Sequence, residues 1–144
     1  MNTRQPATFA ETRSTAVNPG LTILDARIAA IVRLLRSLRV DLSSEKAMQE
    51  GVEGSLRQHG VAFEREKRLS ARDIPDFLID GGIVVECKLR GKSRKIDVYK
   101  QLARYAQSDL VAAIILASNT NMGLPEQIDG KPVYAASLSL GWCT

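Results

Sequence analysis

The stretch Gly82-Ile83-Val84-Val85-Glu86-Cys87-Lys88 is the centre of the predicted fold. Its β-branched run predicts a buried strand. Because side chains alternate across a strand, Glu86 and Lys88 point to one face, and Val85 and Cys87 point to the other. An acid and a base two residues apart at the end of a buried strand mark a candidate functional site.

The residues before this strand predict that it is the second half of a β-hairpin. They read Ile-Pro-Asp-Phe-Leu-Ile-Asp-Gly-Gly over positions 74–82, which is a short strand followed by a tight turn. Gly81 and Gly82 permit the positive φ angles of such a turn. Asp76 and Glu86 lie symmetrically about Gly81, so the hairpin brings their carboxylates opposite each other, with Lys88 just beyond.

Two carboxylates and one lysine on one face of the sheet suit metal-assisted hydrolysis of a phosphodiester. Carboxylate oxygens are the hard ligands that Mg²⁺ and Mn²⁺ prefer. A bound metal polarises the phosphate and lowers the pKa of its water, while a lysine orients that water or stabilises developing charge. The plainer interpretation is a surface hairpin whose acid and base form a weak salt bridge.

Pro75-Asp76 followed by Glu86-Cys87-Lys88 resembles the motif of the PD-(D/E)XK nuclease superfamily. The context agrees with this resemblance, since a predicted helix precedes the hairpin and another follows it. In the following helix, residues 101–105, Gln-Leu-Ala-Arg-Tyr, resemble the QxxxY element of RecB-like and lambda-exonuclease-like members. The preceding helix is similar to the opening helix of VRR-NUC-type and Holliday-junction-resolvase-like members. The resemblance covers about residues 44–140.

The resemblance implies an α+β fold with a restriction-endonuclease-like core, which is a mixed sheet of four to five strands flanked by helices. It also implies hydrolysis of DNA phosphodiesters with Mg²⁺ or Mn²⁺ and no small-molecule cofactor. Asp76 and Glu86 would bind the metal, with the Cys87 carbonyl as a backbone ligand. Lys88 would activate or hold the nucleophile, and Gln101 would place a phosphate, a base edge or the attacking water.

A third carboxylate is expected from the helix predicted over residues 44–59, which begins after Ser43 or Ser44 and stops at Gly60. Members of the resembling families supply an acid near the metal from this helix. The distance back from the terminating glycine selects Glu45 as a catalytic and metal-binding residue, with Glu53 and Glu50 as alternatives. A glutamate at a helix start is also favoured by the helix dipole alone.

Basic residues follow the predicted site. Four occur within positions 89–95, directly after Lys88, and predict either a loop that grips a phosphate backbone or a solvated charged loop. The next helix is predicted over residues 95–107, with Ile96, Tyr99 and Leu102 on one side. Tyr105 would pack beside Gln101 or stack on a nucleotide. The predicted nucleic-acid-binding residues are Arg90, Lys92, Arg94, Lys95, Lys100, Arg104 and Tyr105.

The remaining segments predict one domain over residues 21–144 behind a flexible arm at 1–20. Residues 21–40 have apolar positions at helical spacing with arginines between them, which predicts an amphipathic helix with a basic face. This helix packs on the domain, forms a dimer contact or touches phosphate. Further strands are expected at 61–69 on an edge, at 110–117 in the centre, and at 131–140.

Composition limits the classes of function. The chain has 144 residues, 44% of them hydrophobic, a net charge of +4 and a single histidine, His59. Cys87 and Cys143 lack zinc or redox spacing, and no apolar run reaches membrane-span length. We therefore expect a protein of the cytoplasm or nucleoid without a membrane partner, and the resemblance implies DNA as its partner. A homodimer is expected because cutting two strands needs two sites. A non-catalytic nucleic-acid-binding or assembly module of the same fold, or a protein-interaction domain of another fold, remains open.

Overall fold

A computed structural model describes residues 22–140, with only the backbone described at 139 and 140. The predicted arm at 1–20 and Cys143 lie outside the described residues. The helices are α1 (Ile23–Ser37), α2 (Glu45–Gln58) and α3 (Lys95–Ala106). The strands are β1 (Arg39–Val40), β2 (Phe63–Arg65), β3 (Phe77–Ile79), β4 (Ile83–Lys88), β5 (Ala113–Ser118), β6 (Gln127–Ile128), β7 (Lys131–Ser137) and β8 (Ser139–Leu140).

The main sheet of residues 22–140 is mixed and has six strands in the order β2-β3-β4-β5-β7-β6. Neighbours β2, β3 and β4 pair antiparallel, β4, β5 and β7 pair parallel, and β6 pairs antiparallel with β7. The predicted α+β class is confirmed. The predicted strand number, four to five, is wrong by one strand, because β6 is an edge strand of only two residues.

Strands β4 and β5 form the centre of the sheet. They run parallel in register from the pair Ile83–Ala113 to the pair Lys88–Ser118. Every residue of β5 is buried, as expected for a parallel strand with helices on both faces. The crossover between the two strands contains α3, so the end of β4 and the start of α3 lie close to each other in the chain.

Helices cover both faces of the sheet, and the alternation along β4 assigns its residues to them. Ile83, Val85 and Cys87 pack in the core formed with α1 and α2. Val84 packs in the core formed with α3, so Glu86 and Lys88 share the α3 side. None of the helices within residues 22–140 is long and apolar enough to cross a membrane.

The buried face of α3 differs from the predicted one. Ile96 and Tyr99 are 48% and 37% exposed. The buried stripe instead consists of Val98, Leu102, Tyr105 and Ala106. These positions repeat at three- and four-residue steps through Tyr105, so burying the large tyrosine ring turns Ile96 and Tyr99 toward solvent.

Two structural features lie outside the centre of the main sheet, namely its edge strand β2 and the separate pair of β1 with β8. The predicted strand over 61–69 is limited to Phe63–Arg65, because Glu66 takes a positive φ of 54° and ends the ladder. It is the edge strand that was expected. After α1, the chain pairs β1 with β8 in parallel, joining Arg39 to Ser139 and Val40 to Leu140.

Candidate active site

The hairpin of β3 and β4 has the predicted register. Phe77 pairs with Val85, so the next residues outward, Asp76 and Glu86, lie opposite each other. The backbone N–H of Asp76 donates to Glu86 Oε1 at 3.0 Å. Gly81 and Gly82 have φ angles of 98° and 89°, which are the positive values that made glycine necessary in the turn.

Glu86 is a buried carboxylate with several partners. It is 3% exposed, on the α3 side of the sheet. The hydroxyl of Tyr105 donates to Oε1 at 3.3 Å, and Lys88 Nζ lies 3.5 Å from Oε2. Burial raises the pKa of Glu86 to about 7, and the neighbouring Asp76 charge adds to the rise while Lys88 opposes it.

The Asp76 carboxylate lies at the end of the sheet rather than on one face. Its Oδ2 accepts from the N–H of Cys87 at 2.8 Å, and its Oδ1 accepts from Gln49 Nε2 at 3.1 Å. Gln49 belongs to α2, which packs on the face opposite α3. The prediction that both carboxylates and Lys88 share one face is therefore corrected. Asp76 precedes the first ladder pair of β3, so its side chain is free to turn toward α2.

Burial also raises the pKa of Asp76, and the Cys87 N–H, the Lys88 charge and the Arg65 charge oppose that rise. The Glu45 charge adds to it. The two acids and the lysine of the predicted motif therefore form one electrostatic group, to which α2 contributes Glu45.

Cys87 contributes its backbone to the site and its sulfur to the core. The side chain is 1% exposed and packs with the residues of α1 and α2. Burial raises the pKa of its thiol. Its N–H points to Asp76. In a strand the C=O of a residue points to the same side as its N–H, so the Cys87 carbonyl faces the Asp76 edge.

Among the three glutamates of α2 considered for the third carboxylate, Glu45 is the one that contacts the end of β4. Its Oε2 accepts from the N–H of Leu89 at 3.0 Å. Glu50 is exposed. Glu53 binds Arg57 and Arg65 at 2.8 and 3.2 Å, and the Arg57 contact, the nearer one, is the main cause that lowers the pKa of Glu53.

Gln101 and Tyr105 of α3 lie on the Glu86 side of the sheet. Gln101 Nε2 donates to the hydroxyl of Tyr105 at 2.9 Å, and that hydroxyl also lies 3.3 Å from the Ile74 carbonyl oxygen. Tyr105 is 1% exposed, so its ring has no free face for a base. The prediction that Tyr105 binds nucleic acid directly is corrected, because the ring fills the core beneath α3. Burial raises the pKa of its phenol.

A cleft of about 330 Å³ opens beside Lys88 along α3. Arg104 lines it but donates to Asp73 at 2.8 Å, and Arg94 is paired with Asp97 at 3.0 Å. Lys100 lines the cleft with an exposed side chain. The remaining predicted basic residues, Arg90, Lys92 and Lys95, are exposed on the adjoining loop and first helical turn. The cleft is lined by Lys88, Ser93, Asp97, Val98, Lys100, Gln101 and Arg104.

Two residues that contact Asp76 were not predicted as part of the site. They are Gln49 of α2 and Arg65 of β2. The alternation of side chains along β2 could have identified Arg65, because Phe63 and Arg65 share a face of the strand and Phe63 packs against the core. An arginine on the core side of a strand needs buried partners.

The donors of this site fit a hard divalent ion only with help from backbone and solvent. Within residues 22–140, no three or more His, Cys, Asp and Glu side chains are grouped to hold a metal ion. Mg²⁺ needs fewer than three such side chains, because it commonly binds one or two carboxylates and keeps several waters. Asp76 and Glu86 supply two carboxylates at the end of β4 and Cys87 supplies one backbone carbonyl, which is a number of protein ligands that Mg²⁺ accepts when waters complete its shell. Comparison with known family models, with curated proteins and with solved structures finds no match to this chain.

Proposed function

We propose that this protein is a metal-dependent nuclease that hydrolyses DNA phosphodiester bonds. One observation carries the proposal. Asp76, Glu86 and Lys88 are linked at the end of β4, through the Asp76 N–H and Glu86 contact at 3.0 Å and the Glu86–Lys88 pair at 3.5 Å. Acids and a lysine joined in this way suit phosphoryl chemistry, whereas an exposed hairpin salt bridge would leave Glu86 in solvent.

The charge balance supports a divalent cation. Three carboxylates, those of Glu45, Asp76 and Glu86, surround the end of β4, where Lys88 supplies the ammonium group. Asp76 and Glu86 would hold Mg²⁺ or Mn²⁺ with the Cys87 carbonyl, and Glu45 would complete the set directly or through water. When bound, the metal polarises the phosphate and lowers the pKa of its water.

Three side chains would position the water, the phosphate and the Glu86 carboxylate. Lys88 is 14% exposed at its side chain and lies at the mouth of the cleft, where it can orient a nucleophilic water or stabilise charge on a phosphate oxygen. Gln101 donates to Tyr105 with one N–H, which leaves its second N–H and its carbonyl oxygen for a phosphate or a water. The hydroxyl of Tyr105 holds Glu86 Oε1.

The substrate in this proposal is DNA, bound by its backbone. Exposed Arg90, Lys92, Lys95 and Lys100 adjoin the cleft and would contact phosphates on either side of the reacting one. Arg94 and Arg104 are partly neutralised by Asp97 and Asp73, so we assign them a weaker role. A homodimer in the cytoplasm or on the nucleoid remains part of the proposal, since one site cuts one strand.

The test is cleavage of labelled single strands, blunt duplex, flaps and four-way junctions with Mg²⁺, with Mn²⁺ and with EDTA. We expect cutting that requires the metal and is lost in Asp76→Asn. Asp76→Asn keeps the side-chain volume and an oxygen that can accept from Cys87, but it removes the charge and places an amide donor where an oxygen accepts from Gln49. No cutting by the intact protein, with salt-dependent DNA binding retained, would replace the nuclease with a non-catalytic binding module.

A further inference from the structure

Arg65 contacts Asp76 and its neighbours, but it has no role in the proposed function. Its guanidinium donates to three acceptors, namely the Asp76 carbonyl at 3.1 Å, Gln49 Oε1 at 2.8 Å and Glu53 Oε1 at 3.2 Å. The same group lies 4.7 Å from the centroid of the Phe77 ring. Its side chain is 25% exposed, so these contacts hold it between β2, α2 and β3.

The contact with Gln49 fixes the direction of an amide. A guanidinium has donors only, so it must face the amide oxygen of Gln49. The amide NH₂ is then turned to the other side, where it donates to Asp76 Oδ1 at 3.1 Å. Without Arg65 the amide oxygen loses the donor that fixes it, so the amide is free to rotate its NH₂ away from Asp76.

The second Asp76 oxygen is fixed from the other side by the N–H of Cys87 at 2.8 Å. The carboxylate is therefore held between a backbone donor of β4 and a side-chain donor of α2. Hydrogen bonds of this kind orient carboxylates that bind metals, and their removal commonly costs 10- to 100-fold in metal affinity.

We propose that Arg65 is a positioning residue for Asp76, acting through the amide of Gln49 and through the Asp76 carbonyl. The consequence for catalysis rests on the proposed function, in which Asp76 holds the metal. The effect on the orientation of Asp76 does not rest on the proposed function, and it can be measured without any metal.

The chain offers a matched control in Arg57. Arg57 also pairs with Glu53, at 2.8 Å, and also lies over a phenylalanine ring, 5.1 Å from the centroid of Phe63. It belongs to the solvent side of α2 and donates to neither Gln49 nor Asp76. Arg57→Met thus removes an ion pair to the same glutamate and the same kind of ring contact as Arg65→Met, but leaves Asp76 untouched.

The experiment compares Arg65→Met, Arg65→Lys, Gln49→Met and Arg57→Met with the intact protein. The first readout is Mn²⁺ affinity, measured by calorimetry on protein without DNA, well below each melting temperature. The second is hydrogen exchange of the Cys87 amide without metal, expressed relative to the amides of Val84 and Ile115. The ratio removes any general loss of stability.

We expect Arg65→Met and Gln49→Met to weaken Mn²⁺ binding by about 10- to 100-fold and to speed exchange of the Cys87 amide. Arg65→Lys should not restore either value, because one ammonium group cannot span three acceptors. Arg57→Met should match the intact protein in both. Equal values for Arg65→Met and Arg57→Met would overturn the proposal.

The two proposals can fail separately. If the intact protein binds no Mn²⁺ and cuts no DNA, the nuclease proposal fails, and the exchange ratio alone decides the role of Arg65. An unchanged ratio in both Arg65→Met and Gln49→Met would then overturn the positioning role too, while a raised ratio in both would support it.

Discussion

At the scale of single residues, Glu86 shows how burial affects the charge of a carboxyl group in the site. It is buried next to a second carboxylate, and its partners are the Asp76 N–H, the Tyr105 hydroxyl and the Lys88 ammonium group. The pKa of Glu86 nevertheless rises to about 7, which shows that those partners do not offset the free-energy cost of burying the charge. Without a metal, therefore, Glu86 carries a proton for part of the time at neutral pH.

The pH dependence of stability follows from that shift. The Glu86 carboxyl has an ordinary pKa of 4.5 and a folded pKa of about 7, so the folded protein binds its proton more tightly than the unfolded chain. The favourable contribution is complete below pH 4.5 and is lost as the pH rises through 7. We expect Glu86→Gln to remove this loss and to be more stable than the intact protein at pH 8.5, by up to about 3 kcal/mol.

Urea denaturation in EDTA at pH 5.5 and 8.5 measures this difference. A substitution that merely disturbs packing would lower stability at both values of pH. Equal destabilisation at pH 5.5 and pH 8.5 would therefore contradict a buried, proton-binding Glu86.

Lys88 is the residue whose replacement tests the proposed chemistry most directly. Its side chain is 14% exposed and pairs with Glu86 alone among the ion pairs of the described residues. We expect Lys88→Met to lower the rate of metal-dependent DNA cleavage by at least about 100-fold, the effect typical of a lost electrostatic stabiliser. Lys67→Met is the control, because Lys67 forms its ion pair with Glu64 of β2, at 3.6 Å, rather than with an acid of the site. Comparable rates for the two variants would exclude a catalytic role for Lys88.

At the scale of secondary structure, the turn between β3 and β4 supports the position of both acids. Gly82 has a φ of 89°, and a Cβ there would lie 2.9 Å from the Leu110 carbonyl oxygen and 3.0 Å from the Ala112 nitrogen. Both contacts are backbone atoms, which cannot rotate away. The approach is close because the Gly82 carbonyl accepts from the Ala112 N–H at 2.7 Å, which starts the pairing of β4 with β5.

A pair of glycine substitutions separates backbone strain from this close approach. Gly91 has a similar φ of 82° but nothing within 4 Å of a built Cβ. Gly91→Ala should cost about 1–2 kcal/mol for the left-handed conformation alone. Gly82→Ala should cost about 1–3 kcal/mol more, because backbone must shift. Urea denaturation of both variants measures the difference, and equal losses would show that β4 and β5 tolerate the extra methyl group.

The hairpin could be predicted from sequence because its information is local. Alternation, two glycines and a symmetric pair of acids lie within residues 74–88. The strand β6 was missed although its signal is also local. Asp129 and Gly130 take positive φ angles of 53° and 79° between the paired residues Ile128 and Lys131, and Asp-Gly is a strong hairpin signal. The flanking strand is only two residues long, so no alternation accompanied that signal.

The second half of the site could not be predicted in the same way. Asp76, Glu86 and Lys88 belong to one hairpin, whereas Gln49 and Arg65 come from two other elements that meet Asp76 only in the folded chain. Tyr105 was predicted to pack beside Gln101 or to stack on a nucleotide, and its nearly complete burial was not predicted. Spacing gives the direction of a helical side chain, whereas its exposure depends on how closely the helix packs on the sheet.

At the scale of the whole molecule, the basic side chains divide between the two faces of the sheet. Lys92 and Lys100 are exposed near the cleft by α3. Arg33 and Arg36 line a groove between α1 and β7, on the other face. The site opens toward the first group, so phosphates of DNA bound for cleavage would contact Lys92 and Lys100 and release their condensed counterions.

The salt dependence of DNA binding tests this assignment. We expect Lys92→Gln and Lys100→Gln each to reduce the slope of log affinity against log salt by about 1, since each removes one phosphate contact. Arg33→Gln and Arg36→Gln should leave the slope unchanged. Fluorescence anisotropy with a labelled duplex in EDTA measures binding without cleavage. A reduced slope in the Arg33 and Arg36 variants would assign the DNA to the α1 face instead.

The pairing of β1 with β8 has a consequence for how the protein is made. Arg39 pairs with Ser139, and α1 packs on β7 and β5. On the ribosome, α1 therefore emerges long before the strands that cover Ile28, Ile31 and Leu35. Until β5 and β7 have been translated, this helix presents an apolar stripe without its partner, which is the kind of surface that chaperones bind. Docking of α1 must therefore wait for strands that lie more than 70 residues further along the chain, so the order of synthesis differs from the order of assembly.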